Sequence, residues 1–300
     1  MEKPNKGFRK RFFSEDLVNR ASSRSKRSAA VMSGLIGLCT LLTVVILVYI
    51  LLFVLINGLP NISWKFLTDP YSVRGDQQGI LPMIINTVYM VIITLLIATP
   101  IGLATAVYLT QYAKQGRLVR MIRFTTEVLA GIPSIIFGLV GSVLFSETLG
   151  FGYSILSGAL TMTMMVLPTI VRTSEEAVLS VPMSYQEGAL ALGAGRLRVI
   201  FNIILPSAMP GILTAIILAM GRVVGESAAL IFTLGMAYSM PTGVFSHVLQ
   251  SGRSLTLHLY SLFSVGKDMD QAFATAAVLL IVVFILNRLA SLTSNLLKKG

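Results

Sequence analysis

Six long apolar runs, at about residues 30–56, 84–109, 127–146, 152–171, 210–234 and 272–291, dictate the fold class of this 300-residue chain. A ~30 Å hydrocarbon core takes about 20 residues at 1.5 Å rise, and every run is long enough to cross it. Inside lipid no water satisfies backbone N–H and C=O groups, so isolated strands are excluded and the runs must be helices. The two-residue alternation of an outer-membrane barrel is absent. Composition agrees: 54% of residues are apolar and 12% charged, against roughly 25% charged in soluble domains. The expectation is an all-α integral membrane protein with six transmembrane helices.

The net charge of +11 would suggest nucleic acid in a soluble protein, but its distribution speaks for a membrane. Residues 1–28 hold nine Lys/Arg, 110–126 four, 172–209 three and the tail after 291 two, with Arg288 close by. The alternate loops, 57–83, 147–151 and 235–271, hold only Lys65, Arg74, Arg253 and Lys267. The side rich in Lys and Arg is the cytoplasmic one, which places both termini there; six spans require the same. Residues 1–28 read as a flexible basic arm lying on the anionic inner leaflet. They are no cleaved signal peptide, because the charged segment is long and the first apolar run exceeds a signal's 7–15 residues. With Cys39 the single cysteine, no disulfide forms within the chain. No internal repeat or low-complexity segment occurs.

Hydrolytic and redox constellations are missing. His247 and His258 lie 11 residues apart in the sequence without a helical i,i+4 partner or nearby cysteine, so surface or packing roles fit better than a metal site. Phosphate-cradling nucleotide loops need G-x-x-x-x-G-K-[ST]. The one Gly-Lys pair, Gly266-Lys267, is followed by Asp268, and Ser261 stands where the first glycine is required. ATP, with its Mg²⁺, therefore belongs to another chain if it drives this one; no cofactor is expected here.

Between the fourth and fifth runs stands Glu187-Gly188-Ala189-Leu190-Ala191-Leu192-Gly193, and nine residues later Ile203-Ile204-Leu205-Pro206. Leu190, Ala191 and Leu192 favour helix, and Gly193 offers a C-cap. A short helix there could seat in a groove on a cytoplasmic partner and transmit its motion. An ordinary connecting helix, capped by Gly193 and bounded by Pro206, would carry the same residues. The order and spacing resemble the docking loop of ABC importer permeases: E-A-A, three residues, G, nine residues, I-x-L-P. Only Gly188 departs, standing where alanine is usual.

From about Gly79 onward the chain resembles the phosphate importer permeases of the PstA type. The similarity is carried by Ile101-Gly102 through Tyr108-Leu109, Leu118 through Phe124, Leu129-Ala-Gly-Ile-Pro133-Ser134 through Leu139, Leu167-Pro168 through Ala177, and Gly221-Arg222-Val-Val-Gly225-Glu226-Ser227-Ala228. The resemblance implies a type I ABC importer permease core preceded by one extra N-terminal helix. Residues 1–28 would be the arm, 29–78 the first helix and outer loop, and 79–300 the permease domain. It implies a homologous PstC-like permease, two cytoplasmic PstB-like ATPase subunits and an extracytoplasmic phosphate-binding protein as partners. The setting would be a bacterial or archaeal plasma membrane, with lipid and no nucleic acid in contact.

Arg222 is the foremost candidate for the substrate path. Counted from Pro210 it falls near mid-membrane, where insertion of arginine costs at least about 2.5–3.5 kcal/mol, so the residue should face protein or a watery path. Its fixed charge and donors suit an oxyanion. Glu226, four residues on, is expected to neutralise it across one helical turn; a buried pair serving packing alone is the competing reading. Gly221 and Gly225 would admit a neighbouring helix. Arg172, at the cytoplasmic end of the fourth run, also matches a family arginine, although a basic residue is expected there on charge grounds. Pro100, Pro133 and Pro168 mark places where helices can bend. Met162, Met164 and Met165 read as lipid-facing or core filler. Permeases for sulfate or molybdate, an ion-coupled anion transporter and a signalling scaffold remain alternative readings; the docking loop opposes the ion-coupled one, while Arg222, Glu226 and Ala130–Ser134 favour phosphate.

Overall fold

The computed structural model describes residues 15–71, 79–114, 116–238, 240, 243, 246–265 and 268–297. The first fourteen residues of the expected arm, Arg74, Gly266 and Lys267 lie outside these. The chain divides into two compact units, 1–56 and 57–300.

The described residues of the first unit form one helix. α1 runs Glu15–Gly58, into the second unit, so helix begins well inside the stretch expected to be a flexible arm. Its apolar side chains from Val31 to Phe53 are exposed, as is Cys39. That suits a segment whose solvent is lipid.

The second unit holds, in order, α2 (Trp64–Thr68), α3 (Leu81–Val107), α4 (Arg117–Gly131), α5 (Ser134–Gly141), α6 (Ile155–Leu179), α7 (Met183–Ala191), α8 (Arg196–Val199), α9 (Leu205–Gly225), α10 (Leu255–Val265) and α11 (Met269–Leu297). π-helical turns extend α3 over Tyr108–Tyr112 and α5 over Ser142–Thr148, and one at Ile200–Ile204 joins α8 to α9. Pro206 explains that last turn: it has no N–H to donate to the preceding turn, and its ring crowds that turn's carbonyl. Five described helices are long and apolar enough to cross a membrane, or six if the bent pair α4–α5 is one span.

Two of the expected spans need correction. The run at 127–146 is broken: Ile132 and Pro133 are extended and the flanking helices meet at 103°. Pro133 drives the residue before it out of the α region, whereas helix continues through Pro100 and Pro168. The run at 210–234 is displaced: its helix spans Arg196–Gly225 and stops before Glu226.

The core is built by α3, α6 and α9, with α11 closing on α9 and α10. Met90, Met162, Met165, Ile170, Ala219 and Leu230 are fully or nearly buried in it, so two of the three methionines singled out are core residues. The chain after Gly225 does not stay outside as a loop. It turns back so that Leu230 and Leu234 enter this core. Its polar backbone is satisfied as it goes: Ser154 N–H donates to Thr233 C=O (3.1 Å), Ile155 N–H to Gln250 C=O (3.0 Å) and Gly252 N–H to Leu234 C=O (3.2 Å). Irregular backbone at such depth is tolerated only when protein groups satisfy it.

Candidate functional site

The residues expected to dock form one hook. α7 carries Glu187, Gly188 and Ala189, all at the surface or half-buried. Gly193 has φ +84°, which most side chains avoid. Gly193 N–H donates to Leu190 C=O (2.9 Å) and Ala194 N–H to Ala189 C=O (3.1 Å). These two bonds are the Schellman C-terminus, which satisfies carbonyls otherwise left open at a helix end. Beneath α7, Val178, Val181, Val199, Ile200, Ile204 and Ala208 form a separate small core, against which Ala189, Ala194, Ile203 and Leu205 pack. The I-x-L-P residues thus anchor the hook to the head of α9. Leu190 and Leu192 remain exposed, an apolar surface without a partner in this chain. Arg196 lies over the Tyr112 ring at 5.8 Å.

Two residues before the last turn of α6, a long-range ion pair fastens α4. Arg123 Nε and Nη2 reach one oxygen of Glu175 at 2.9 and 2.6 Å. The Glu175 side chain is 11% exposed and that of Arg123 42%, so the carboxylate depends on this partner. Arg172 pairs with Glu176 on the same helix at 3.4 Å, but both are about two-thirds exposed (64% and 67%), where such pairs contribute little. α6 continues past Arg172 to Leu179, so the residue sits about two turns inside the helix end rather than at it. The four charged groups, with Glu127, line a cleft of about 320 Å³. Sequence reasoning placed Arg123 and Glu175 in matching segments yet missed their pairing, which spans 52 positions and has no local signal.

Arg222 lies half-buried in the last turn of α9. The expected ion pair with Glu226 is not formed. Glu226 follows the helix in extended conformation (φ −83°, ψ 131°), so the two are not stacked across a helical turn. Its carboxylate instead accepts the N–H of Ala229 at 3.1 Å and caps the turn that carries the chain back into the core. Ala229 packs so tightly on Gly138 of α5 that a Cβ added there would come within 2.7 Å of the Ala229 Cα. Arg222 itself meets no carboxylate among the described residues. Among the described residues, nothing beyond the adjoining residues and backbone of α9 itself lies within 4 Å of a Cβ built at Gly221 or Gly225, so no described neighbour packs on that small-residue strip.

Past this turn both histidines are buried, as packing residues are. His247 Nε2 meets Asn86 Oδ1 at 2.6 Å and its Nδ1 meets Gln250 Oε1 at 3.2 Å. His258 packs edge-on to Tyr71 (5.1 Å between ring centres). Burial, reinforced by the nearby Arg253 guanidinium, pushes its pKa down to about 3, so the ring is neutral at physiological pH. Among the described residues no group of three His, Cys, Asp or Glu is placed to hold a metal ion.

Known proteins share this fold. The family described as binding-protein-dependent transport system inner membrane component matches residues 98–298. The chain belongs to this family. The permease is 34% identical over 283 residues to the probable ABC transporter permease protein YqgI of Bacillus subtilis (strain 168), covering 89% of this chain and 95% of the relative. It is 35% identical over 229 residues to the phosphate transport system permease protein PstA 1 of Mycobacterium tuberculosis (strain CDC 1551 / Oshkosh), covering 74% of each. Among solved structures, a bacterial alginate ABC transporter in complex with its alginate-bound periplasmic protein superposes with TM-score 0.65 at 16% identity, over 93% of this chain and 98% of that one. The MetNI methionine ABC transporter in an inward-facing conformation gives TM-score 0.59 at 19% identity, over 73% and 95%. At such identities the likeness is one of fold. The permease is therefore the multi-pass inner-membrane subunit of an ABC importer. ATP hydrolysis belongs to a partner ATPase, and a binding protein delivers the substrate.

Proposed function

We propose that this permease imports inorganic phosphate. It lines the translocation path together with a homologous PstC-like permease, one of two PstB-like ATPase subunits engages the hook of α7 from the cytoplasm, and an extracytoplasmic phosphate-binding protein supplies the anion. The observation that carries the reading is Arg222: a half-buried guanidinium with no carboxylate beside it among the described residues, in a chain 31–35% identical to relatives named phosphate transport system permeases. A fixed charge without a counterion attracts a passing oxyanion, and the guanidinium fork matches its oxygens. Arg172, at the rim of the cleft near the hook, is the second basic residue assigned to the path.

The test is uptake of radiolabelled phosphate by cells that lack other phosphate importers and carry this permease with its partner chains. Uptake is expected to be diluted by unlabelled phosphate and to persist in excess sulfate or molybdate. Displacement by sulfate or molybdate as effective as by phosphate would overturn the assignment while leaving the importer class intact.

Orientation follows from the basic residues and is checked separately. In a Cys39→Ser background, cysteines at the exposed positions Asn61 and Thr148 should react with an impermeant thiol reagent in intact cells. Cysteine at the exposed Ser180, at the end of α6, should be protected until the cells are opened. The reverse pattern would place the termini outside.

A further inference from the structure

Arg253 is 5% exposed and, among the described residues, has no carboxylate within ion-pair distance. Its Nη1 donates to Tyr238 Oη at 2.6 Å and to Ser261 Oγ at 3.4 Å, and its Nη2 to Met236 Sδ at 3.2 Å. The guanidinium lies 4.1 Å from the centre of the Tyr238 ring, which stacks at 4.3 Å on Tyr71. His258, 1% exposed, stands edge-on to both rings and one helical turn from Ser261 on α10. Among the described residues, Arg253 Nε and both ring nitrogens of His258 have no hydrogen-bond partner.

A buried guanidinium normally recruits a carboxylate, and buried polar atoms normally find partners. Here the surroundings offer hydroxyls, aromatic faces and a neutral imidazole instead. Asp268 acts on this cluster electrostatically, through Tyr71. The cluster is tied to the end of the Arg222 helix: Thr256, three residues beyond Arg253, donates its hydroxyl to the Val224 carbonyl at 2.8 Å. Asn86 of α3 holds the Arg253 carbonyl at 3.3 Å.

We propose that Arg253 and His258, with the hydroxyls of Tyr238 and Ser261, form a second oxyanion site beside the end of α9, separate from Arg222. A tetrahedral oxyanion supplies the negative charge that no described carboxylate supplies within ion-pair distance of Arg253, and accepts from Arg253 Nε and from the imidazole N–H. The site is closed in this conformation, so the anion enters only when the stacked Tyr71 and Tyr238 part. Occupancy thereby depends on conformational state, as alternating access requires. The inference rests on the reading of the chain as an oxyanion permease.

The test uses the full-length chain purified with its partner permease and ATPases in detergent, without binding protein. Its thermal midpoint is followed against inorganic phosphate, with chloride at matched ionic strength as the control. Phosphate should raise the midpoint of wild type and of Arg222→Gln. The phosphate concentration giving half the rise should increase roughly tenfold or more in Arg253→Gln and His258→Phe, a loss of one strong contact; Arg253→Lys should fall between. Without phosphate, His258→Phe should melt no lower than wild type, because it keeps an aromatic ring and removes two unsatisfied nitrogens. That separates ligand binding from packing, even if Arg253→Gln fails to fold. An unchanged half-rise concentration in His258→Phe, or no phosphate effect on wild type, overturns the second site. So does a response lost only in Arg222→Gln. None of these outcomes touches the phosphate assignment, which the uptake competition decides.

Discussion

Arg222→Gln should reduce phosphate uptake to background while the subunit still inserts and recovers its partner chains. Glutamine keeps much of the length and some donors, so a merely steric role would survive. What it removes is a charge in the last turn of α9 that no carboxylate answers among the described residues. The expected loss is roughly 100-fold or more, about 2.7 kcal/mol of differential interaction at 1.36 kcal/mol per factor of ten. Uptake and complex recovery, measured on the same membranes, check it. The geometry of Glu226 sharpens the experiment. Were the two residues a compensating buried pair, Arg222→Gln with Glu226→Gln would restore transport. The carboxylate instead holds the Ala229 N–H, a bond that a glutamine carbonyl can still accept. Glu226→Gln alone should therefore be mild. Glu226→Ala should loosen the turn, losing a cap worth about 1 kcal/mol. The double glutamine variant should stay inactive; restored transport would reduce Arg222 to a packing residue.

Replacement of Gly193 should uncouple the permease from its motor. The backbone there has φ +84°, which costs an ordinary residue about 1–2 kcal/mol and is worst for a β-branched one. Gly193→Val should break the Schellman bonds at Leu190 and Ala189 and release the end of α7. Gly193→Asp tolerates the backbone better but puts a charge beside the exposed Leu190 and Leu192. Both should insert normally, since the change lies outside every span. Both should lower uptake and ATPase co-purification by roughly tenfold, the equivalent of about 1.4 kcal/mol at the docking surface. Gly193→Ala is the graded control. Normal uptake by Gly193→Val would mean that α7 is only a connector.

How much was legible in the chain depends on the range of the interaction. Gly193 could be read as a C-cap because a helix end is settled by its neighbours in sequence. Ile203, Leu205 and Pro206 announced the head of α9 for the same reason. The bend at Ile132-Pro133 rests on a local steric rule, yet hydropathy alone hid it: an apolar run looks the same whether it crosses the membrane straight or broken. The end of α9 was misplaced because apolar residues continue to Leu234 and because Leu230 and Leu234 are buried as a folded-back segment rather than as helix. No spacing rule distinguishes those two ways of burying leucine.

The sequence by itself determined that the chain is helical and embedded in a membrane, because lipid permits few backbone solutions. It also made the glycine-capped helix between α6 and α9, proposed as the docking hook, legible, because that motif is written in consecutive residues. Only the tertiary structure decided that Glu226 caps Ala229 instead of meeting Arg222, that Arg123 reaches Glu175, and that Arg253 and His258 are buried together. Each depends on how distant segments return to one another, and a return path is set by the packing of α3, α6 and α9 as a whole. Two charges near each other in the chain are free to pair until the backbone between them turns them apart.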